Sequence, residues 1–109
     1  MIINMTPHPV HIVDSDNNIV CTFPKGDTQI RLEAKTVPLG ILTDDKFAVP
    51  LTYTEFGEAV GLPEYQPGTF YIVSQIVKSA LPNRSDLFVP AEVVRDAAGN
   101  IIGCKSLGI

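Results

Sequence analysis

Residues 68–81 read GTFYIVSQIVKSAL, and this stretch decides the fold. Pro67 and Gly68 make a turn. Thr69-Phe70-Tyr71-Ile72-Val73 consists of β-branched and aromatic residues, which predicts a strand. Phe70 and Ile72 face one side, Tyr71 and Val73 the other, and no charge falls on either. The strand is therefore expected inside a sheet, covered on both faces. Ser74 follows as a strong N-cap residue. Ile76, Val77, Ala80 and Leu81 recur at helical spacing and predict a short helix over about 74–81. Pro82 ends it, because it lacks an amide hydrogen and restricts the residue before it.

Outward from this stretch the chain reads as strands. Ile2-Ile3 starts a short one, broken by the prolines within 4–9. Val10–Val13 and Ile19–Phe23 flank the turn-rich Asp14-Ser15-Asp16-Asn17-Asn18 and predict a hairpin. Residues 28–34 alternate, with Ile30, Leu32 and Ala34 on one face, as a half-buried strand does. Residues 36–42 and 47–54 predict a second hairpin around Thr43-Asp44-Asp45-Lys46, with Pro50 demanding an edge or a bulge. Residues 55–68 hold five breakers (Gly57, Gly61, Pro63, Pro67, Gly68) and predict an irregular loop. Leu87-Phe88-Val89 is a short strand ended by Pro90. Val93-Val94-Arg95 and Ile101–Cys104 flank Asp96-Ala97-Ala98-Gly99-Asn100 as a further hairpin, with Gly99 suited to a left-handed turn position. Runs of strands with one helix predict an α+β fold, mostly β: antiparallel sheets built of hairpins, with the short helix packed on the sheet.

A length of 109 residues predicts a single domain, 1–109, and allows roughly 65% of the unfolded surface to be buried. Charged residues are 18% of the chain, below the globular average of about 25%, while hydrophobic residues are 45%. That balance leaves apolar surface to spare and predicts a homo-oligomer. The net charge of −4, with no basic run, argues against DNA or RNA polymers as partners. No apolar run reaches the ~18 residues of a membrane span, and Met1 leads directly into polar turn residues. A cytoplasmic protein with Cys21 and Cys104 reduced is therefore expected.

Catalytic patterns are thin. In a strand, positions three apart face opposite ways, so His8 and His11 make a poor metal pair. Ser74 opens a helix after a strand, but a nucleophile elbow needs glycines where Ile72 and Ile76 stand; Ser74 reads as a cap. Cys104 beside Lys105 reads as a buried structural thiol. Asp14/Asp16 and Asp44/Asp45 read as turn residues. No glycine-rich phosphate loop joins a strand to a helix, and no cofactor is expected. What remains is binding. The first amides of the 74–81 helix could attract an anion. Arg31, Lys78, Arg84, Arg95 and Lys105 could hold phosphates, and Tyr53, Phe56, Tyr65, Tyr71 and Phe88 could stack on a base. The candidate ligand-binding set is Asn83, Arg84, Arg95, Lys105, Phe88 and Tyr71. Arg84 leads it, because the connector Pro82-Asn83-Arg84-Ser85-Asp86 needs no arginine to fold.

Several segments together resemble a family of small proteins of phages, prophages and bacteria. They are Ile2-Ile3-Asn4-Met5-Thr6-Pro7-His8, Gly61-Leu62-Pro63, Tyr71-Ile72-Val73-Ser74, and Val94-Arg95-Asp96 followed by Gly99-Asn100-Ile101-Ile102-Gly103. The chain is similar in this respect to the first-type Thoeris anti-defence sponges. The resemblance implies a small, non-catalytic, oligomeric protein in the host cytoplasm. It would sequester cyclic ADP-ribose-type immune signals, cyclic oligonucleotides or both. The three arginines, Arg31, Arg84 and Arg95, are few for a phosphate clamp. Two other functions compete: a phage structural or protein-interaction module without a small ligand, and a small hydrolase using His8 or His11.

Overall fold

The computed structural model describes all 109 residues. Its elements are β1 (Ile2–Asn4), β2 (Val10–Val13), β3 (Ile19–Phe23), β4 (Arg31–Thr43), β5 (Ala48–Val60), β6 (Phe70–Ile72), α1 (Gln75–Ala80), β7 (Leu87–Arg95) and β8 (Ile101–Gly108). The fold is α+β and mostly β. The chain groups into two compact units: residues 1–30 with 61–109, and residues 31–60.

The first unit is a six-stranded sheet in the order β1-β6-β7-β8-β2-β3. The two hairpins read from the sequence, β2–β3 and β7–β8, are antiparallel. Three further pairings are parallel: β6–β7, successive strands connected through α1, and β1–β6 and β2–β8, which join segments far apart in the chain. The hairpin turns share one device. Asp14 Oδ1 accepts from the amides of Asp16 and Asn18, both at 2.9 Å. Asp96 Oδ1 accepts from those of Ala98 and Asn100 at 2.9 and 3.0 Å. The fourth residue of each turn is left-handed, Asn17 at φ 64° and Gly99 at φ 86°, as their small or absent side chains permit.

β6 lies between β1 and β7; Tyr71 and Ile72 are buried on its two faces, whereas Phe70 at its start is exposed, short of the full cover expected. Tyr71 and Val73 join Val77 of α1, Leu87 and Val89 in one core cluster. Ile72 points the other way, into a cluster with Val10 and Cys104. Ser74 caps α1, accepting the Val77 amide at 3.4 Å. The helix is shorter than the 74–81 read from spacing. Only Val77 is buried within it and Ile76 is 62% exposed; of the rest of the stripe, Leu81 just past the helix packs partly buried on the same core cluster. No helix is long and apolar enough to cross a membrane.

The sheet curls until its edge strands meet. Asn4 on β1 donates from Nδ2 to Phe23 O on β3 at 3.2 Å. Gly26 donates its amide to Thr6 O at 2.9 Å across the same seam. Cys21 and Cys104 both stand in register with Ile12, one on each side of β2. Two strand spacings, about 9.5 Å, separate them, beyond disulfide reach. Both thiols are free.

The second unit is the antiparallel hairpin β4–β5, two strands of 13 residues each. The loop predicted over 55–68 therefore begins only at Gly61. The half-buried strand predicted over 28–34 is also displaced. Ile30 packs on the first core cluster, but strand structure starts at Arg31 and Ala34 is exposed.

A Cβ at position 26 would lie 2.7 Å from Asn4 O and 3.2 Å from Met5 Cα, both backbone atoms that cannot swing aside. Gly26→Ala is expected to cost about 2 kcal/mol of unfolding free energy in urea titrations.

Candidate functional site

The six candidate binding residues do not converge on one site. Asn83, Arg84, Tyr71 and Phe88 gather around the α1–β7 connection and the β6–β7 pair, whereas Arg95 and Lys105 lie on the β7–β8 hairpin. Tyr71 is buried in the core. Phe88 packs edge-on against Phe70, ring centroids 5.6 Å apart. Arg95 donates to Gly99 O at 2.9 Å and braces its own turn. Lys105 and Asn83 are exposed.

Arg84 has structural partners. Its Nε and Nη2 each donate to the Asp86 carboxylate at 2.8 Å, a bidentate pair, and Nη2 also reaches Pro63 O at 2.9 Å. Asp86 is fully buried and Arg84 a quarter exposed. The Arg84 hydrogen bonds hold the Asp86 carboxyl below its usual range, against the opposing effect of burial. An arginine in a polar connector thus neutralises a buried carboxylate two residues on, the opposite of a spare binding group.

A different set of residues forms a cleft of about 320 Å³ in the first unit. Its walls are the segment entering β2, the start of α1, and the facing parts of β7 and β8. Val10, Val73, Val89, Val93 and Ile102 make it apolar; Thr6, His8, His11, Ser74 and Gln75 supply polar groups. No Asp, Glu, Lys or Arg lines it. Strand alternation put His8 and His11 on opposite faces. They share the cleft because β2 begins only at Val10, so alternation does not extend back to His8.

Each polar group is positioned by the fold. Asn4 Nδ2 donates to His8 O at 2.8 Å, and Thr6 gives its single hydroxyl proton to Asn4 Oδ1 at 2.6 Å. His11 Nδ1 lies 2.8 Å from Thr22 Oγ1 on β3, which leaves Nε2 for another partner. Ser74 Oγ is engaged at the head of α1, and Gln75 Nε2 donates to Ser79 Oγ at 3.3 Å. Since α1 has six residues and Ser74 takes one of its first amides, the anion site expected there is weak. Cys104 lies at the cleft wall, 2% exposed; burial pushes its thiol up, outweighing the lowering by the Ala91 backbone. β8 approaches β2 closely at Gly103, where a Cβ would lie 2.7 Å from Val13 Cγ1 and 2.9 Å from His11 O. No three His, Cys, Asp or Glu side chains cluster as metal ligands would.

The cleft residues are scattered in sequence, at 6–11, 73–75, 89–93 and 101–104; the β7–β8 hairpin and the parallel pairings β6–β7 and β2–β8 together assemble them. The signals available in the sequence were His8 and His11, weighed there for a metal or a hydrolase, and Ser74, read as a helix cap. No family model matches this chain, and no curated protein or solved structure shows significant similarity to it.

The Arg84–Asp86 pair has a definite pH signature. Asp86 titrates lower in the folded chain than in the unfolded one. The pair therefore stabilises fully above the unfolded value of about 3.9, and this contribution is lost as pH falls through the folded value. Arg84→Ala leaves a buried carboxylate unpaired, which costs about 3 kcal/mol at pH 7 and less near pH 4, where protonation relieves it. Urea titrations at both pH values check the reversal.

Proposed function

We propose that this protein is a non-catalytic binding protein that sequesters a small nucleotide-type ligand, with the base held in the β2–β7–β8 cleft. The observation that carries this reading is the cleft's chemistry: apolar walls, neutral hydrogen-bonding groups and two imidazoles, with no charge. Such a lining suits a neutral heteroaromatic ring, which it desolvates at small cost and orients by a few hydrogen bonds. Its volume lies at the low end for ligand sites, so it fits a base better than a whole dinucleotide. Ser74 Oγ serves as a cap, and no carboxylate lines the cleft to orient a histidine, so the residues present favour holding over transforming. Together with the family resemblance, this supports a phage anti-defence sponge for cyclic ADP-ribose isomers or cyclic oligonucleotides.

A second reading, a phage structural or protein-interaction module, is favoured by the exposed apolar residues of β4 and β5. The two separate in a thermal-shift screen with cyclic ADP-ribose isomers and cyclic di- and trinucleotides. A ligand at ~100 Kd adds about 2.7 kcal/mol, a rise of roughly 10 °C in Tm for a domain this size. Val93, 44% exposed at the cleft, is the point for a blocking change. Val93→Trp is expected to abolish the ligand-induced rise and to change the ligand-free Tm little. If no ligand raises Tm, or if Val93→Trp leaves the rise intact, binding in this cleft is excluded.

A further inference from the structure

The β4–β5 hairpin carries apolar side chains that nothing within its own unit covers. Cross-strand partners share a face, so the register Leu42↔Val49, Gly40↔Leu51 and Val37↔Tyr53 sets Val37, Leu42, Val49, Leu51 and Tyr53 side by side. Leu42, Val49, Leu51 and Tyr53 are 59, 49, 38 and 47% exposed. The opposite face is mixed: Thr36↔Thr54, Pro38↔Thr52 and Thr43↔Ala48 make most of it polar or small, between the apolar rows Ile41↔Pro50 and Ala34↔Phe56. One side of the ribbon thus runs apolar from Leu42 to Tyr53, whereas threonine rows divide the apolar side chains of the other.

We propose that this stripe packs on the same stripe of a second copy of the chain, so that the hairpin is the self-association element. Three observations favour a second copy as the occupant. A two-stranded ribbon alone is marginally stable in water, so 13-residue strands need a partner surface. The stripe and the exposed Leu39 and Phe47 near the turn offer on the order of 600 Å² of apolar surface per copy, so two copies bury about 1,200 Å², the size of a specific interface. The stripe ends in the row Lys35↔Glu55, which sums to zero charge, so like surfaces meet without repulsion. A lipid bilayer is a poor alternative, because both strands have an unpaired backbone edge that hydrocarbon cannot satisfy. The inference is independent of the cleft and of its ligand.

Sedimentation equilibrium on the full chain tests this. The expected mass is an even multiple of 11.8 kDa. Leu51→Lys is expected to weaken association roughly 100-fold or more, and Thr54→Lys on the other face to change it by less than about threefold. A monomer at about 100 µM assigns the stripe to a different partner and overturns the proposal, as does equal loss from both variants or no loss from Leu51→Lys. Hydrogen exchange of the unaltered protein needs no variant to fold. Protection of β4 and β5 amides is expected to rise with protein concentration while that of β8 stays constant, and an unchanged hairpin overturns the proposal.

Discussion

The side-chain amide of Asn4 is the interaction on which the first unit depends. Asn4 is 4% exposed and all four of its amide bonds are made. Nδ2 donates to His8 O and Phe23 O at 2.8 and 3.2 Å; Oδ1 accepts from the Thr6 amide at 2.9 Å and Thr6 Oγ1 at 2.6 Å. The Thr6 amide can only donate, which fixes the amide orientation. β1 and β3 are the two ends of the strand order and have no backbone ladder between them. A carboxamide is the group that can accept from one turn while donating to two carbonyls, so it joins edges that strand pairing leaves open.

The same amide connects fold to site. By holding His8 O it sets the path of residues 6–8 into β2, and Thr6, His8 and His11 reach the cleft from that path. On the other wall, Gly103 lets β8 come close to His11 and Val13. β7 adds a local distortion: Glu92 sits at φ 50°, a left-handed conformation that costs energy for a residue with a side chain, and its carboxylate accepts from Ser106 Oγ at 2.8 Å. Val93, the next residue, lines the cleft. The cleft is therefore a consequence of how the strands are closed and bent, and none of its polar groups depends on Arg84.

Local features were legible in the sequence where local chemistry decides them. Asp14 and Asp96 announce their turns because a carboxylate that caps two amides is a short-range device. Ser74 announces the helix start, and the uncharged run 69–73 announces an internal strand, buried from Tyr71 to Val73. Three things were not legible. The parallel pairings β1–β6 and β2–β8 join distant segments, and no turn residue encodes them. The 36–42/47–54 hairpin with Pro50 on an edge was legible, but Gly57 reads as a breaker and the strand runs on through it to Val60, since a two-stranded ribbon has an unpaired edge on each strand. Arg84 reads as a spare loop cation, because burial of Asp86 beneath it is a tertiary fact.

Chemical denaturation of Asn4→Asp across pH is the most direct test that the Asn4 amide closes the sheet. A carboxylate cannot donate to His8 O or Phe23 O and faces both with like polarity, so its folded pKa should rise above about 3.9. A raised carboxyl pKa gives stability that is present at low pH and lost as pH rises. The variant should thus fall about 3 kcal/mol below the unaltered protein at pH 7 and recover part of that by pH 4. A variant within about 0.5 kcal/mol of the unaltered protein at pH 7, with no recovery in acid, would contradict a sheet closed by this side chain.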